Sequence, residues 1–173
     1  MKRISICTIL ALIIAISVAG SAHAWGWGVS VFVKLFNIIK VTELQTLNLG
    51  TIEKPTSTVT VHVTPGGTVG GNNDATHIDT ADVKEGIFKI QGSFFATIDI
   101  SASDNGNVSG MTFTGITADY DTTTNADLMA GITNQTAPTW FGTNLDLGAE
   151  LEVDNTVTEG DYEPGFTLSV NYN

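Results

Sequence analysis

Apolar and polar residues alternate along much of this chain, and no segment after residue 24 has the three-to-four-residue spacing of an amphipathic helix. Alternation with a period of two is typical of β-strands that bury one face. Short clusters of glycine, asparagine, aspartate and proline separate the alternating runs. This pattern predicts an all-β sandwich of about eight or nine short strands.

Four internal segments lead to separate structural predictions. Residues 145–153 alternate and predict a strand that is interrupted near Gly148. The segment 104–107 contains Asn-Gly, which tolerates positive φ angles and predicts a tight turn. Residues 70–82 are rich in glycine, asparagine and aspartate and predict a loop. Residues 119–140 show neither period, so we expect a long loop or a short helix there.

The last alternating run predicts a strand at the C-terminal end of the sequence. One of its faces is apolar, and the other carries threonine, serine and asparagine. A strand with an apolar face and an unpaired edge is an aggregation hazard unless another strand pairs with it. The identity of that partner is therefore the main question about function. The apolar face consists of Phe166, Leu168, Val170 and Tyr172.

The first 24 residues predict a secretory signal peptide. Lys2 and Arg3 precede the apolar stretch Ile4–Val18, and residues 22–24 form an Ala-His-Ala cleavage site. The apolar stretch is short for a membrane span. Cleavage is therefore favoured over a membrane anchor, and we expect no transmembrane segment in the mature chain.

Cleavage after Ala24 would also remove the single cysteine, Cys7. The mature chain, which starts at Trp25, would then have no disulfide and no thiol chemistry. We expect a secreted protein that passes through the periplasm and acts at the cell surface or outside the cell. Stability without disulfides must come from core burial, metal binding or assembly.

The charge of the chain is strongly acidic, with 7 basic and 18 acidic residues and a net charge of −11. Loss of Lys2 and Arg3 would make it two charges more negative, and no lysine or arginine follows Lys89. Binding to nucleic acid requires cations, so nucleic acid is not an expected partner. An acidic surface keeps an exported protein soluble by repulsion.

No pattern in the sequence indicates catalysis. His62 and His77 are the histidines of the mature chain, and no nucleophile–base or metal-ligand motif accompanies them. We therefore predict a protein that is not an enzyme, with no cofactor and no bound metal. Trp140 is a candidate for stacking on a ligand such as a sugar, since aromatic faces provide a large apolar contact area.

Three segments resemble a secreted bacterial family known only as a domain of unknown function. Leu47–Ile52 is similar to that family's L-x-F-G-x-I segment, and Val59–Gly67 resembles the strand and turn that follow it. The segment Gly160–Tyr172 is similar to the closing G-x-Y-x-G-x-[FL]-x-V-x-Y pattern of the family. The resemblance covers residues 38–173.

The closing pattern also resembles chaperone–usher pilins and the related spore coat protein U group. Those proteins tend to have a penultimate tyrosine, as Tyr172 is here, and a glycine fourteen residues from the end, as Gly160 is here. The resemblance implies an immunoglobulin-like antiparallel sandwich that lacks its last strand. It also implies that a periplasmic chaperone, and then the N-terminal extension of a neighbouring subunit, fills the gap.

Residues 25–37 are a candidate for such an extension, which leaves residues 38–173 as the sandwich domain. The alternate residues of the extension offer one apolar side chain for each pocket of an open groove, with main-chain hydrogen bonds along the strand. Alternatively, residues 28–37 form the first strand of their own sandwich, which would then be complete. The candidate donor side chains are Val29, Val31, Val33 and Leu35.

These observations lead to two hypotheses about function. The first is a non-enzymatic structural subunit of a surface fimbria or coat. Its partners would be neighbouring copies or related subunits, a periplasmic chaperone and an outer-membrane usher. The second is a self-complete secreted binding module for carbohydrate or surface adhesion, which would use Trp140.

Overall fold

The computed structural model describes residues 38–69, 78–136 and 138–173, which belong to one compact unit. These residues form eleven strands and no helix, and every strand pair is antiparallel. The prediction of an all-β antiparallel sandwich is therefore confirmed, although the described residues form eleven strands where eight or nine were expected. The strands are β1 (Lys40–Gln45), β2 (Thr51–Ile52), β3 (Val59–Val63), β4 (Ile78–Asp79), β5 (Gly86–Gln91), β6 (Ile98–Asp104), β7 (Met111–Tyr120), β8 (Thr123–Asp127), β9 (Ile132–Gln135), β10 (Thr143–Val153) and β11 (Phe166–Tyr172).

The larger sheet has six strands, with β10 at its centre. The order is β1-β5-β10-β7-β8. One edge of β10 is shared by two strands: β5 pairs with its first half and β3 with its second half. The apolar side chains of β10 alternate toward the core, and each of them is almost completely buried. They are Leu145, Leu147, Ala149, Leu151 and Val153.

The smaller sheet has three strands in the order β11-β6-β9. Ile98 and Ile100 of β6 belong to the same buried cluster as the apolar face of β10, so the two sheets enclose one core. The connection from β6 to β7 spans residues 105–110 and crosses from the smaller to the larger sheet, so it is longer than the predicted tight turn. Within it, Gly106 has a positive φ and its N–H donates to the Asp104 carboxylate. A separate pair of short strands, β2 and β4, completes the described structure.

The stretch 119–140 differs from the prediction of a loop or helix. It completes β7 and contains β8 and β9. Asp121 and Asn125 adopt left-handed φ angles of 53° and 50°, and the Asp119 carboxylate accepts a hydrogen bond from the Asn125 N–H. Polar residues therefore form this hairpin by local hydrogen bonding, without an alternating apolar pattern.

The predicted interruption of β10 near Gly148 is also wrong, because β10 runs without a break from Thr143 to Val153. Gly148 is needed for another reason. A Cβ atom there would lie 2.2 Å from the carbonyl oxygen of Val63 and 2.7 Å from the Pro65 nitrogen. Glycine allows the turn after β3 to cross directly over the central strand.

The segment 70–82, predicted to be a loop, contains the short strand β4. Residues 70–77 lie outside the described residues, as do the predicted signal peptide and the extension at 25–37. Among the described residues, no helix is long and apolar enough to cross a membrane.

Candidate assembly groove

A groove of about 1350 Å³ opens between β1, an edge strand of the larger sheet, and β11, an edge strand of the smaller sheet. On one side lie β11 and the loop before it, and on the other lie β1 and the segment that leads to β2. The floor consists of Phe113, Leu151 and Val153, which are buried members of the core. The groove therefore reaches the hydrophobic core from outside.

The β11 wall presents Phe166 and Leu168 to the groove. Phe166 contacts Phe113 edge-to-face, with ring centroids 5.4 Å apart, which is a favourable aromatic geometry. Both groove-facing residues of β11 are only half-buried, as are Val170 and Tyr172. The apolar face predicted for this strand thus contacts the core but is not covered by it.

The outer edge of β11 is unpaired within residues 38–69, 78–136 and 138–173, because β6 is the one described strand that pairs with it. An edge strand presents a row of backbone N–H and C=O groups that can bind another strand. The groove therefore combines apolar pockets with a hydrogen-bonding edge, which are the two elements of recognition by β-strand addition.

The opposite wall contains Leu47, Leu49 and Ile52. Two contacts hold it against the larger sheet: the backbone N–H and C=O of Asn48 exchange hydrogen bonds with Lys84, and the Gln45 side chain donates to the carbonyl of Glu85. These contacts hold this wall without involving β11.

The loop 154–165 forms the rim of the groove before β11. The Asp154 carboxylate accepts a 2.8 Å hydrogen bond from the Thr156 N–H, and this contact lowers the pKa of Asp154. At the other end of the loop, the Asn107 amide donates to the carbonyl of Glu163 and accepts from the Gly165 N–H. The predicted turn after β6 thus fixes the residue from which β11 starts.

Tyr172 anchors the far end of β11 to the larger sheet. Its hydroxyl accepts a 2.6 Å hydrogen bond from the Ser93 N–H, just after β5. Gly92 allows this approach, since a Cβ atom there would lie 2.7 Å from the same hydroxyl. The penultimate tyrosine therefore connects the two sheets at the end of the molecule opposite to the loop 154–165.

The predicted site residues are distributed over three places. Phe166, Leu168 and Gly160 lie along the groove, whereas Val170 and Tyr172 continue β11 beyond its lining. Trp140 lies outside the groove, in the loop before β10, and is 66% exposed. Four predicted donor residues are outside the described part of the chain: Val29, Val31, Val33 and Leu35.

Sequence analysis identified Trp140 but missed three other exposed aromatic residues in the loops after β5 and before β10: Phe94, Phe95 and Phe141. Trp140 contacts Phe141 with a centroid separation of 3.8 Å, and Phe94 and Phe95 form a second, edge-to-face pair. The Gln91 side chain donates to the Trp140 carbonyl, which joins the loop after β5 to the loop before β10. Two aromatic doublets inside loop segments were the available sequence signal.

Three carboxylates lie close together on the outer face of the larger sheet. Asp146 of β10 is directly opposite Asp119 of β7. Partial burial and then Asp119 raise the pKa of Asp146, and burial, Asp146 and Asp119 raise the pKa of Glu85. Within the described ranges, no group of three or more histidine, cysteine or acidic residues has a geometry suited to a metal ion.

The chain belongs to the family named domain of unknown function DUF4402, whose model matches residues 39–172. The matched range includes both walls of the groove and all eleven strands, and it begins after the extension at 25–37. Comparisons with curated proteins and with solved structures gave no significant match.

Proposed function

We propose that this DUF4402 protein is an exported, non-enzymatic structural subunit of a bacterial surface fimbria or coat, and that copies assemble by inserting residues 28–37 into the groove of a neighbour. The observation that carries the proposal is the groove itself. It joins an apolar floor, formed by Phe113, Leu151 and Val153, to the edge of β11 that no other described strand occupies. A strand with alternate apolar residues satisfies both features at once.

The residues just before β1 favour insertion into another copy over pairing with the chain's own β1. β1 starts at Lys40 and is itself an edge strand. To pair residues 28–37 with their own β1, the chain would have to reverse direction around Ile38 and Ile39. Tight hairpin turns need positive φ angles, which β-branched residues adopt poorly. Continuation in the extended direction, toward a second molecule, avoids this strain.

The proposal is tested with the mature chain, Trp25–Asn173. Changing Val31 and Val33 to Asp places charges in the apolar pockets and should abolish polymerisation, whereas the control Ser30→Asp changes the opposite face and should polymerise. Light scattering and electron microscopy measure assembly.

A peptide spanning residues 28–37 should bind the non-polymerising variant with one peptide per chain and raise its melting temperature, as a ligand of the folded state does. The same peptide with both valines changed to Asp should not. A wild-type chain that stays monomeric and takes up no peptide would show that the proposal is wrong.

A binding module for carbohydrate or another surface is the second candidate. The observation that favours it is the exposed pair Trp140 and Phe141, because exposed aromatic faces bind sugar rings. The experiment in the next subsection includes an arm that distinguishes this role.

A further inference from the structure

Four aromatic side chains are exposed at one end of the sandwich. Phe94 and Phe95 follow β5, and Trp140 and Phe141 precede β10. Their exposed fractions reach 87% at Phe95. We call these four residues the aromatic end. Clustered exposed apolar side chains are unusual on a monomeric protein and mark interaction surfaces.

The chain enters the sandwich at this same end. Lys40 pairs with Gln91, the last residue of β5, and the Gln91 side chain contacts the Trp140 carbonyl. Ile38, two residues before Lys40, is 92% exposed. The segment that would be donated therefore leaves the molecule next to the aromatic end.

The short connection limits how far away the neighbouring copy can be. Only Ile38 and Ile39 separate a donor strand that ends at Asn37 from β1 at Lys40. Three Cα–Cα steps span at most about 11 Å. A copy whose groove holds residues 28–37 must therefore lie directly against the aromatic end.

The loop 154–165, at the opposite end of the sandwich, is acidic. It carries Asp154, Glu159, Asp161 and Glu163 and no basic residue. It forms one end of the groove, and Lys54 and Lys84 line the wall across from it. At the aromatic end, Lys40 and Lys89 lie on the side formed by β1 and β5, and the Lys89 stem packs near Gly142. Asp121 lies at the same end but in the turn after β7, so the basic character is limited to the β1–β5 side.

From these positions, and resting on the proposed strand insertion, we propose that the aromatic end of one copy packs against the acidic loop 154–165 of the next. A donor strand antiparallel to β11 would leave the groove at the start of β11, beside this loop. A parallel strand would leave at the Tyr172 end and bring two aromatic ends with the same lysines together. Charge complementarity selects the antiparallel arrangement, which gives a head-to-tail chain.

The aromatic contribution is tested with the double variant Phe95→Ser/Trp140→Ser of the mature chain. Both side chains are largely exposed, so we expect the fold and the uptake of the 28–37 peptide to be unchanged. Assembly, measured by light scattering, should slow by at least about tenfold, because exposed aromatic residues dominate interface energy. A control with Thr122→Ser, in the turn after β7, should assemble normally.

The electrostatic contribution is tested by a charge exchange. Lys40→Glu/Lys89→Glu should slow assembly about tenfold at low salt, and the addition of Asp161→Lys/Glu163→Lys in the same chain should restore it. Lys40→Glu alone should slow assembly less. It leaves Lys89 in place, so the contact of the Lys89 stem with Gly142 is not disturbed. Restoration by a second pair of substitutions cannot arise from misfolding.

The outcomes separate the two proposals. If the wild-type chain takes up no peptide, strand insertion itself is wrong. If the wild-type chain takes up the peptide but both sets of variants assemble at the wild-type rate, only the end-to-end contact is wrong. If the aromatic variant assembles normally and loses binding on a glycan array, the aromatic end is a carbohydrate site and the contact is again wrong.

Discussion

Strands β10 and β11 have the same alternating pattern but different surroundings. β10 is paired on both edges, and its Leu147 is fully buried. β11 is paired with β6 alone among the described strands, and its Leu168 remains half-buried on the wall of an open groove. The comparison teaches that alternation determines which face is apolar, whereas the structure packed against that face determines how completely it is covered. Strand β3 supports this, because it pairs with β10 alone among the described strands and its Val59, Val61 and Val63 are nevertheless buried.

The largest expected effect is on the free energy of unfolding, when equivalent leucines of β10 and β11 are each changed to alanine. Leu147→Ala should lower the free energy of unfolding by about 3 kcal/mol, because it leaves a cavity in a packed core. Leu168→Ala should cost about 1 kcal/mol, since less area is buried. Denaturant unfolding of both variants measures the difference. With the 28–37 peptide bound, the loss of unfolding free energy caused by Leu168→Ala should become larger, and the loss caused by Leu147→Ala should not change. If the peptide leaves the loss at Leu168 unchanged, Leu168 does not line the groove that binds it.

A smaller effect is expected where β11 is attached to the larger sheet. Tyr172→Phe removes the hydroxyl that accepts from the Ser93 N–H and should destabilise the fold by about 1 kcal/mol, the usual net value of one hydrogen bond. Hydrogen exchange at Ser93 should also become faster. Tyr162→Phe is the matched control, since the Tyr162 hydroxyl donates to Thr158 in an exposed loop. An unchanged exchange rate at Ser93 would show that this anchor is unimportant.

The smallest effect concerns the outer face of β10, where Asp146 opposes Asp119. Asp146→Asn should stabilise the protein at pH 7 by about 0.5 kcal/mol, the scale of one cross-strand pair. The measurement is the midpoint of denaturant unfolding at several pH values between 4 and 7.

The sign of this pH dependence follows from the raised pKa values of Asp146 and Glu85. Their contribution to stability is complete below the ordinary carboxyl pKa of about 4 and is lost as the pH rises through the raised values. Asp146→Asn should reduce that loss, whereas Glu152→Gln, which removes an exposed charge from the same strand, should not. An identical pH profile for both variants would contradict the cause given for the shifts.

The hairpin of β7 and β8 shows where sequence reasoning stopped. β8 has the sequence Thr-Thr-Asn-Ala-Asp, without alternating apolar residues, and only Thr123 and Ala126 are half-buried. Its structure depends on left-handed φ angles at Asp121 and Asn125 and on the Asp119 carboxylate. Such local polar contacts leave no periodic signal in the sequence.

The aromatic end is a second feature that the sequence alone did not predict. Four strands, β6 to β9, separate Phe94 and Phe95 from Trp140 in the sequence. The pairing of β5 with β10 brings the two loops to one end of the sandwich. Trp140 alone was recognisable as a candidate from the sequence. Its neighbours became relevant only through the sheet topology.

The sequence by itself determined the all-β class, the buried face of β10, the apolar face of β11 and the positive φ at Gly106, because side-chain alternation and the conformational freedom of glycine are local properties. The tertiary structure decided which strands are neighbours, and so which edge remains open. Strand pairing joins residues far apart in sequence, as Phe166 joins Asp104. The groove exists because two edge strands, β1 and β11, lie on its opposite sides, with Phe113, Leu151 and Val153 of the core at its floor.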